Sequence, residues 1–551
     1  MISQNEIQFL PLGGCGEIGM NMSLYGYGGH WLMVDCGVTF GDSSTPGVEL
    51  IVPDPHFIIQ NNQKLTGIII THAHEDHLGG LPYLWRQLKC PVYATPFAAG
   101  LLRKKLVEVG LSELVTIIEF SSGNQVNVGP FEISFIPVAH SVPETHCLAI
   151  KTGIGTIVHA SDWKIDKEPL IGLPTDEACF REVGNTGVLA LLCDSTNVFE
   201  DGFSGSEGTL RQSMIEVISN CKGRVAVAFF ASNVARMETC IRAAQENNRR
   251  IALVGRSLIR IAEIAKSCGY LSDCPEFIDV RDIGYLPQEE VLIMVTGSQG
   301  ESRAALSRIS NDNHPEISFT EGDTVIFSSR EIPGNELSIG RLKNQLAKLN
   351  VHVIEENDAF VHVSGHPARE ELKQLYDWIN PSLMIPIHGE TRHLIEHCRL
   401  AKKCGIPSAL KVENGEVLSI RPDKAEIIKE VQSGRYAVDG RRLIPLKGDV
   451  MKSRRRLNLT GNALVTIVLD KHCELLKVPK LSAPGIVDDM GQDVVMHSKA
   501  VSSIEKTIQL MSRKQKIDDE KINRVVSSSI RKIFYQETGK RPMVILHIVR
   551  V

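Results

Sequence analysis

A run of seven residues limits what this chain can fold into more than any other feature of its sequence. It reads Thr71-His72-Ala73-His74-Glu75-Asp76-His77 and directly follows the apolar segment 65–70, which we predict to be a β-strand. Imidazoles and carboxylates are costly to desolvate one by one in a core, but at the end of a strand they can converge on one cation. The sequence therefore predicts a metal site at the edge of a sheet.

Three more candidate ligands follow predicted strands elsewhere in the chain. Taken singly, each is as readily interpreted as an ordinary polar residue at a strand end, but together with the histidine run they supply enough nitrogen and carboxylate atoms for two ions. Zinc suits such a mixture, and manganese also accepts it. The three residues are His140, Asp162 and His388.

The composition indicates a globular protein of several domains. The chain has 551 residues, of which 43% are hydrophobic and 23% charged. At about 100–200 residues per domain, this length predicts about three domains. The formal net charge of −5 excludes a uniformly basic coat for nucleic acid but is compatible with a local basic groove.

Three features favour a cytoplasmic protein. No apolar run is as long as a membrane span, and the first 14 residues lack the basic segment of a signal peptide. The 13 cysteines include no C-x-x-C pair, so we expect neither a disulfide framework nor a thiolate zinc site. We interpret most of them as small buried hydrophobic residues.

The pattern of apolar runs changes twice along the chain. Up to about residue 207, strand-like runs with glycine turns are interleaved with helical patterns, which favours an α/β layered domain. From about 208 to 367, short apolar strands alternate with helices, as in a parallel, doubly wound sheet. A separate pattern of strands and amphipathic helices begins at about 448. The basic run 452–456 at this transition is interpreted as a solvated linker, with contact to RNA as the alternative.

The motifs resemble those of the metallo-β-lactamase superfamily and, within it, those of the β-CASP nucleases. Asp35, the H-x-H-x-D-H run, His140 and Asp162 match the superfamily. The three additional β-CASP motifs are matched by Asp194 in Asp-Ser-Thr-Asn, His366 in Ser-Gly-His and His388 in Ile-His-Gly-Glu. The chain closely resembles the ribonuclease J family over nearly its whole length, with matching motifs at residues 16–21, 140–144, 332–336, 362–366 and 541–544.

This resemblance implies an α/β protein in which a metallo-β-lactamase αββα sandwich is interrupted by an inserted domain. The expected divisions are a first part of the sandwich at 1–207, a parallel-sheet β-CASP domain at 208–367, the second part of the sandwich with a linker at 368–447, and a small C-terminal α/β domain at 448–551. We expect RNA to bind in the cleft between the sandwich and the insertion.

The resemblance also implies how the candidate ligands divide between two divalent ions. Asp162 would bridge the two ions, and Asp35 would orient a ligand histidine, with capping of a turn as its alternative role. Zinc is the expected metal, with manganese or magnesium as alternatives. One ion would be held by His72, His74 and His140, and the other by Asp76, His77 and His388.

Hydrolysis of a phosphodiester releases a sugar alkoxide, so we also expect a group that protonates it. By resemblance, the pair Asp194 and His366 is the proposed acid, because a carboxylate can steer a histidine for proton transfer. Capping of a helix by the Asp-Ser-Thr-Asn turn is the alternative role of Asp194. Together with Asp76 on the metal, these two residues form the predicted catalytic group.

Glycine- and serine-rich turns in or next to the inserted domain are candidate phosphate sites. They follow apolar strands, and their backbone N–H groups and hydroxyls can bind an anion. Nearby arginines such as Arg236 are interpreted as solvated helix faces, with tracking of an RNA strand as the alternative. By resemblance, the terminal 5′-phosphate of RNA would be held by Ser232, Asn233, His362, Ser364 and Gly365.

The expected function is that of a metal-dependent ribonuclease with 5′-to-3′ exonuclease and endonuclease activity in RNA maturation and mRNA decay. The expected substrate is single-stranded RNA, preferentially with a 5′-monophosphate, and the expected assembly is a homodimer or homotetramer. A small-molecule hydrolase is disfavoured by the large insertion with its own motifs. A non-catalytic RNA-binding subunit is disfavoured by the complete ligand set. A DNA-directed nuclease stays open, because 2′-hydroxyl contacts alone separate the two nucleic acids.

Overall fold

The computed structural model describes residues 4–61, 64–332, 334–487 and 492–551. Pro333, within the predicted motif at 332–336, lies outside the described residues. The chain forms two compact units, one made of Met1–Thr39 and Val52–Gly434, the other of Phe40–Ile51 and Arg435–Val551. No helix in the described ranges is both long enough and apolar enough to cross a membrane.

Secondary structure follows the expected order of strands and helices. The strands up to Asp194 are β1 (Ile7–Gly13), β2 (Cys15–Gly16), β3 (Met22–Tyr27), β4 (His30–Val34), β5 (Thr39–Phe40), β6 (Leu50–Pro53), β7 (Leu65–Ile69), β8 (Val92–Ala94), β9 (Ile117–Glu119), β10 (Gln125–Val128), β11 (Phe131–Pro137), β12 (His146–Thr152), β13 (Gly155–Ala160) and β14 (Val188–Asp194). The helices of this region are α1 (His56–Gln60), α2 (Glu75–Leu78), α3 (Leu81–Leu88), α4 (Pro96–Glu108) and α5 (Glu177–Asn185). The next region contains α6 (Glu207–Ser219), β15 (Val225–Ala228), α7 (Val234–Glu246), β16 (Arg250–Val254), α8 (Arg256–Ser267), β17 (Val291–Val295), α9 (Ala305–Ser310), β18 (Thr324–Phe327), α10 (Glu336–Lys348) and β19 (His352–Ile354). The remainder contains α11 (Arg369–Ile379), β20 (Leu383–Ile387), β21 (Gly389–Glu390), α12 (Thr391–Lys403), β22 (Ser408–Ala409), β23 (Glu416–Ile420), β24 (Ala425–Glu430), β25 (Arg435–Asp439), β26 (Arg442–Pro445), α13 (Asp449–Thr460), β27 (Asn462–Leu469), β28 (Lys480–Ser482), α14 (Gln492–Leu510), α15 (Arg513–Lys516), α16 (Asp519–Thr538) and β29 (Met543–Arg550).

Two sheets pack face to face in the larger unit. Their strand orders are β24-β23-β1-β3-β4-β7-β8-β9 and β10-β11-β12-β13-β14-β20-β22. Both contribute to one buried apolar cluster, with Phe9 and Val34 from the first sheet and Ile133 and Leu192 from the second. Helices α5, α11 and α12 cover the outer face of the second sheet, and α4 lies against β8 and β9 of the first. The expected αββα sandwich is confirmed.

Strand direction brings the chemically active side chains to one edge of this sandwich. Strands β13, β14 and β20 are parallel neighbours, so their carboxyl ends lie side by side. Strand β11 runs in the same direction as β13, because both are antiparallel to β12. In the other sheet, β4 and β7 are parallel. The polar residues that follow these strands therefore lie together at one edge. In α/β sheets, bound molecules commonly lie at this edge, outside the carboxyl ends of the strands.

The inserted region forms its own sheet. All five strands are parallel, in the order β16-β17-β15-β18-β19. Its buried cluster includes Val295, Phe327 and Leu346. The expected parallel sheet is confirmed, and it occupies residues 225–354.

The smaller unit contains a three-stranded sheet, β28-β27-β29, covered by α14 and α16. Strand β27 alternates between buried and half-buried residues, and its buried residues Ala463, Val465 and Ile467 pack with Ile508 and Val526 of the helices. A second sheet of this unit, β26-β25-β6-β5, takes in the early segment 40–51. The expected small C-terminal α/β domain is present.

The basic run 452–456, interpreted above as a solvated linker, is helical, and its side chains are exposed or half-buried. It lies within helix α13, which buries Met451 completely and ends at Gly461 with a φ of 67°. Residues 449–460 contain neither glycine nor proline, and nothing in them interrupts a helix. Arg454 donates to Asp439 over 2.8 Å.

Candidate metal centre

A short helix presents the histidine run to the sheet edge. Strand β7 ends at Ile69, and α2 begins at Glu75, directly after His74. Backbone hydrogen bonds from Asn21 to the Asp76 carbonyl and from Cys36 to the His77 carbonyl fix this turn against neighbouring loops. A Cβ atom at Gly37 would lie 1.7 Å from the Asp76 carbonyl oxygen, so only glycine allows this approach.

The first donor group consists of three imidazoles and one carboxylate. Its ligand atoms, from His72, His74, His140 and Asp162, all lie within 4.8 Å of one another. His74 Nδ1 is 3.1 Å from His72 Nε2 and 3.2 Å from His140 Nε2. His72 Nε2 is 3.5 Å from Asp162 Oδ2. Three ring nitrogens therefore converge on one point.

The second donor group shares Asp162 with the first. It adds Asp76, His77 and His388, again with all ligand atoms within 4.8 Å. His388 Nε2 lies 3.1 Å from Asp76 Oδ2, and His77 Nε2 lies 3.4 Å from Asp162 Oδ2. Asp162 is 1% exposed, and its Oδ1 atom is buried without a hydrogen-bond partner in the described part of the chain. An orphaned carboxylate oxygen among imidazole nitrogens fits divalent metal binding.

Each of the five histidines is held from behind through its other ring nitrogen. Such contacts fix the ring orientation and the tautomer of a metal ligand. The pairs are His72 Nδ1 with Thr71 Oγ1 (3.0 Å), His74 Nε2 with Ser141 Oγ (3.2 Å), His77 Nδ1 with Asp35 Oδ2 (2.7 Å), His140 Nδ1 with the Gly365 carbonyl (2.6 Å) and His388 Nδ1 with Thr196 Oγ1 (2.8 Å). The donor atoms that face the centre are therefore pre-arranged.

Asp35 lies behind the donor groups and not in either of them. Besides His77, it accepts the backbone N–H of Thr71 over 2.8 Å and the Thr71 hydroxyl over 2.9 Å. Its φ of 62° is in the left-handed region, which non-glycine residues rarely adopt, and His388 has a φ of 51°. Strained backbone of this kind persists where surrounding contacts determine it, often at functional sites.

The electrostatics differ between the two donor groups. Burial, followed by the neighbouring His72, lowers the pKa of His74 to about 3, so this ring is neutral. Burial disfavours the charged form of His77 as well, but the carboxylates of Asp162 and Asp76 outweigh it and raise its pKa well above the usual value. The carboxylates of the second group therefore carry negative charge that a bound cation would balance.

The Asp-Ser-Thr-Asn turn brings the predicted acid pair together. His366 Nδ1 lies 2.7 Å from Asp194 Oδ2. Asn197 donates to Ser364 Oγ over 2.8 Å and to the His366 carbonyl over 3.0 Å, which ties the two turns to each other. Burial lowers the pKa of His366, but Asp194 acts against burial and the net shift is upward. This favours a protonated imidazole that a carboxylate orients.

Geometry alone would also accept this pair as metal ligands. Asp162, Asp194, His366 and His388 form a third group with ligand atoms within 4.8 Å. However, both oxygens of Asp194 already accept hydrogen bonds, from Thr196 and from His366. No such saturation applies to Asp162, whose Oδ1 is orphaned among the described residues. This difference favours the first two groups over the third as candidate cation sites.

Comparison with known families agrees with this geometry. The matching family models are the Beta-lactamase superfamily domain at residues 30–177, the Ribonuclease J, beta-CASP domain at 222–346, the Zn-dependent metallo-hydrolase RNA specificity domain at 350–414 and the Ribonuclease J C-terminal domain at 449–551. A protein named Ribonuclease J from Sinorhizobium meliloti is 42% identical, over 100% of this chain and 98% of the relative. The chain belongs to the ribonuclease J family. The expected enzyme class, a hydrolytic nuclease, is confirmed by this membership and by the donor groups.

Other members of the ribonuclease J family match over similar lengths. Ribonuclease J2 from Bacillus subtilis is 32% identical, over 99% of both chains. A crystal structure of a protein of unknown function from Enterococcus faecalis covers 75% of this chain at 17% identity, with a TM-score of 0.52, and is itself covered completely. The last likeness concerns the fold alone.

In the predicted phosphate turns of this ribonuclease J family member, two of the five residues already contact the protein, one through its side chain and one through its backbone. Asn233 Oδ1 accepts the backbone N–H of Arg236 over 2.8 Å and so caps α7. The Gly365 carbonyl holds His140, and a Cβ atom at Gly365 would lie 2.8 Å from the His140 ring. Gly365 therefore supports a candidate metal ligand. The Ser232 hydroxyl makes no hydrogen bond within the described ranges.

Arg236 is not on a solvated helix face, so this interpretation was wrong. It is completely buried, pairs with Glu207 over 2.9 Å and donates to the Ser328 carbonyl over 2.6 Å and the Val363 carbonyl over 3.4 Å. A buried guanidinium needs such a ring of acceptors. Burial, followed by the charge of Arg236, holds the pKa of His362 well below its usual value. Arg236 thus joins the start of α7 to the 361–365 turn.

Sequence reasoning missed the residues that support the ligands. Thr71, Ser141 and Thr196 place hydroxyls against the outward nitrogens of His72, His74 and His388. Two of these three stand directly beside a candidate ligand in the sequence, at Thr71-His72 and His140-Ser141. A hydroxyl residue next to a candidate ligand histidine in the sequence could therefore have indicated these supporting residues.

Proposed function

We propose that this chain is a two-metal ribonuclease with 5′-to-3′ exonuclease and endonuclease activity in RNA maturation and mRNA decay. The observation that carries the proposal is the sharing of Asp162 by two donor groups that lie beside the Asp194–His366 pair. A phosphodiester hydrolase needs such a combination of a cation site and a proton donor. The name Ribonuclease J of relatives that match over the whole chain supports RNA as the substrate.

The proposed ligands follow the two donor groups. His72, His74, His140 and Asp162 would hold one ion, and Asp76, His77, His388 and Asp162 the other. Zinc remains the first choice, because one matching family model is described as Zn-dependent; manganese and magnesium are the alternatives. When bound, such ions lower the pKa of a water molecule and offset the charge of the phosphate.

The remaining chemistry is assigned to the chain itself. Asp194 accepts the Nδ1 proton of His366 and fixes the imidazole with its other nitrogen available to the substrate. We propose that His366 donates a proton to the departing sugar oxygen, which would otherwise leave as an alkoxide. Asn197 keeps the two turns of this pair together.

We further propose that the chain binds the 5′-monophosphate of single-stranded RNA at Ser232, Asn233, His362, Ser364 and Gly365. Support comes from Arg236, which joins the turn before α7 to the 361–365 turn while its charge is paired with Glu207. Ser364 Oγ accepts from Asn197 and from His366 N, so its hydroxyl proton remains available to an anion.

Assembly and location complete the proposal. We propose a homodimer or homotetramer, because the C-terminal domain presents no candidate metal ligands within its described residues and its three-stranded sheet has helices on one face. We propose the cytoplasm as the place of action, because all 13 cysteines are free thiols.

One assay separates the candidate functions. Purified protein is incubated with 5′-labelled RNA and DNA of one sequence, carrying monophosphate, triphosphate or hydroxyl ends, with zinc, manganese or magnesium added. We expect metal-dependent cleavage of RNA with mononucleotide release from the monophosphorylated end and some internal cleavage. Faster cleavage of DNA would make the chain a DNA-directed nuclease, and binding without cleavage under every metal would make it a non-catalytic RNA-binding subunit.

A further inference from the structure

We propose that Thr196 is a positioning residue that couples the second donor group to the Asp194–His366 pair through a single hydroxyl. Thr196 Oγ1 lies 2.7 Å from Asp194 Oδ1 and 2.8 Å from His388 Nδ1. The inference rests on the proposed function, because it assigns His388 to a metal ion and Asp194 to the acid pair. It adds a residue that neither donor group contains.

The direction of both hydrogen bonds follows from counting protons. Asp194 Oδ1 accepts the Thr196 backbone N–H over 2.8 Å, and Asp194 Oδ2 accepts from His366, so the carboxylate has no proton to give. The Thr196 hydroxyl therefore donates to Asp194. Its one proton is then used, since its other acceptor, the His388 carbonyl, is farther away at 3.4 Å. His388 Nδ1–H must consequently donate to the Thr196 oxygen.

This tautomer decides what His388 offers to the centre. With one proton on Nδ1, the atom of His388 that faces the centre is Nε2, which lies 3.1 Å from Asp76 Oδ2. A positive charge must lie between this nitrogen and the carboxylate, either a proton on the ring or a metal ion. Thr196 therefore orients His388 for a cation, and by the same hydroxyl it holds Asp194 in the rotamer that reaches His366.

Neighbouring residues cannot take over this role. Ser195 Oγ is paired with His397 Nδ1 over 2.9 Å, and Asn197 is committed to Ser364 and His366. The same arrangement occurs independently at the other sheet, where the Thr71 hydroxyl lies 2.9 Å from Asp35 Oδ2 and 3.0 Å from His72 Nδ1. A hydroxyl between a carboxylate and a ligand histidine is thus used twice in this chain.

The test compares Thr196→Val, which keeps the shape and removes the hydroxyl, with Thr196→Ser, which keeps the hydroxyl. The matched control is Thr186→Val, whose exposed hydroxyl only caps the Val183 carbonyl. Each full-length protein is dialysed against a chelator series, and bound metal per chain is measured without RNA. Turnover of labelled RNA at saturating metal then gives kcat and KM separately, and thermal unfolding confirms that each variant is folded.

We expect Thr196→Val to lose metal at a chelator concentration about 10–100-fold lower than the wild type, the usual cost of removing the partner of a ligand histidine. Its kcat should fall with little change in KM, and the fall should be smaller in a His366→Ala background because the two residues share Asp194. Thr196→Ser and Thr186→Val should resemble the wild type.

Wild-type metal retention and kcat in folded Thr196→Val would overturn the inference, as would equal losses in Thr196→Ser and Thr196→Val. An effect confined to KM would also overturn it. Failure of the proposed function is distinguishable: wild-type protein that binds metal and cleaves no RNA would refute the ribonuclease, while the metal series would still decide the role of Thr196.

Discussion

The metal centre and the predicted phosphate turns are built in opposite ways. In the metal centre, every ligand histidine is fixed from behind, while the atoms that face inward lack protein partners that would satisfy them, as at Asp162 Oδ1 among the described residues. In the phosphate turns, by contrast, two of the predicted contact residues are already bonded to the protein. Asn233 caps a helix, and the Gly365 carbonyl holds His140.

This difference shows for which kind of site the identity of the residues alone is sufficient to predict their role. A metal ligand must offer a nitrogen or carboxylate, and few residue types can do so, so clustered His and Asp residues point to their role directly. A phosphate turn binds largely through backbone N–H groups, which every sequence has. The two regions should also differ in what they contribute to activity.

The largest effect should follow loss of a ligand. We predict that His74→Ala or Asp162→Ala abolishes cleavage while RNA binding largely remains, because metal ions activate the nucleophile whereas phosphate contacts supply most of the affinity. Metal content, RNA binding and turnover are measured on the same preparations, with His352→Ala, an exposed histidine on β19, as the control. Near-normal turnover of metal-saturated His74→Ala protein would contradict the assignment.

The next largest effect should separate proton transfer from metal binding. We predict that His366→Ala lowers kcat by about 10²–10⁴-fold, the usual scale for a lost general acid, with little change in substrate binding and metal content. Asp194→Asn combined with His366→Ala should be little worse than His366→Ala alone, since the two act as one unit. A loss seen wholly in binding would make His366 a phosphate contact.

The strands and the clustering of the candidate ligands could be predicted from the sequence because each depends on a short-range pattern, whereas the division of the ligands between two ions came from the family resemblance. Apolar runs ending in His or Asp indicate strands and the edge where their ends meet, and the alternation between 225 and 354 indicates a parallel sheet. Arg236 was misjudged because its charge was taken as a sign of exposure. Burial of Arg236 depends on Glu207 and Ser328, which lie 29 and 92 residues away in the chain, and no local pattern reports such contacts.

A smaller effect should appear at the 5′ end. We predict that monophosphorylated RNA is degraded exonucleolytically faster than triphosphorylated RNA, because the turns offer hydroxyls, backbone donors and an imidazole without a cluster of lysines for extra charge. Ser232→Ala with His362→Ala should erase this difference, which we expect to be about tenfold, the size of one charge-assisted hydrogen bond. Internal cleavage should persist.

The comparison is a time course on both substrates with the wild type, the double variant and a control pair, Ser267→Ala with His352→Ala. Equal exonucleolytic rates for the two ends in the wild type would show that the turns do not distinguish the terminal phosphate. Loss of internal cleavage in the double variant would mean that the turns and the metal centre are not separable, and the contrast between the two regions would fail.

The smallest effect on RNA cleavage should come from removing the C-terminal domain, in whose described residues no candidate metal-ligand group lies. The sheet β28-β27-β29 packs Val465 and Ile467 against its helices, while its opposite face carries half-buried Leu464 and Val468 in register with Ile545 and Val549. Half-buried apolar residues on the face that points away from α14 and α16 suit association with a second copy. We predict that the full-length chain is a homo-oligomer and that truncation near Met451 abolishes association while metal-dependent internal cleavage continues.

Sedimentation at micromolar concentration measures the association of the two proteins, and turnover per chain measures their cleavage activity. A monomeric full-length chain would refute the assembly role, and loss of cleavage in a truncated but folded protein would show that this region contributes to the chemistry as the metal centre does.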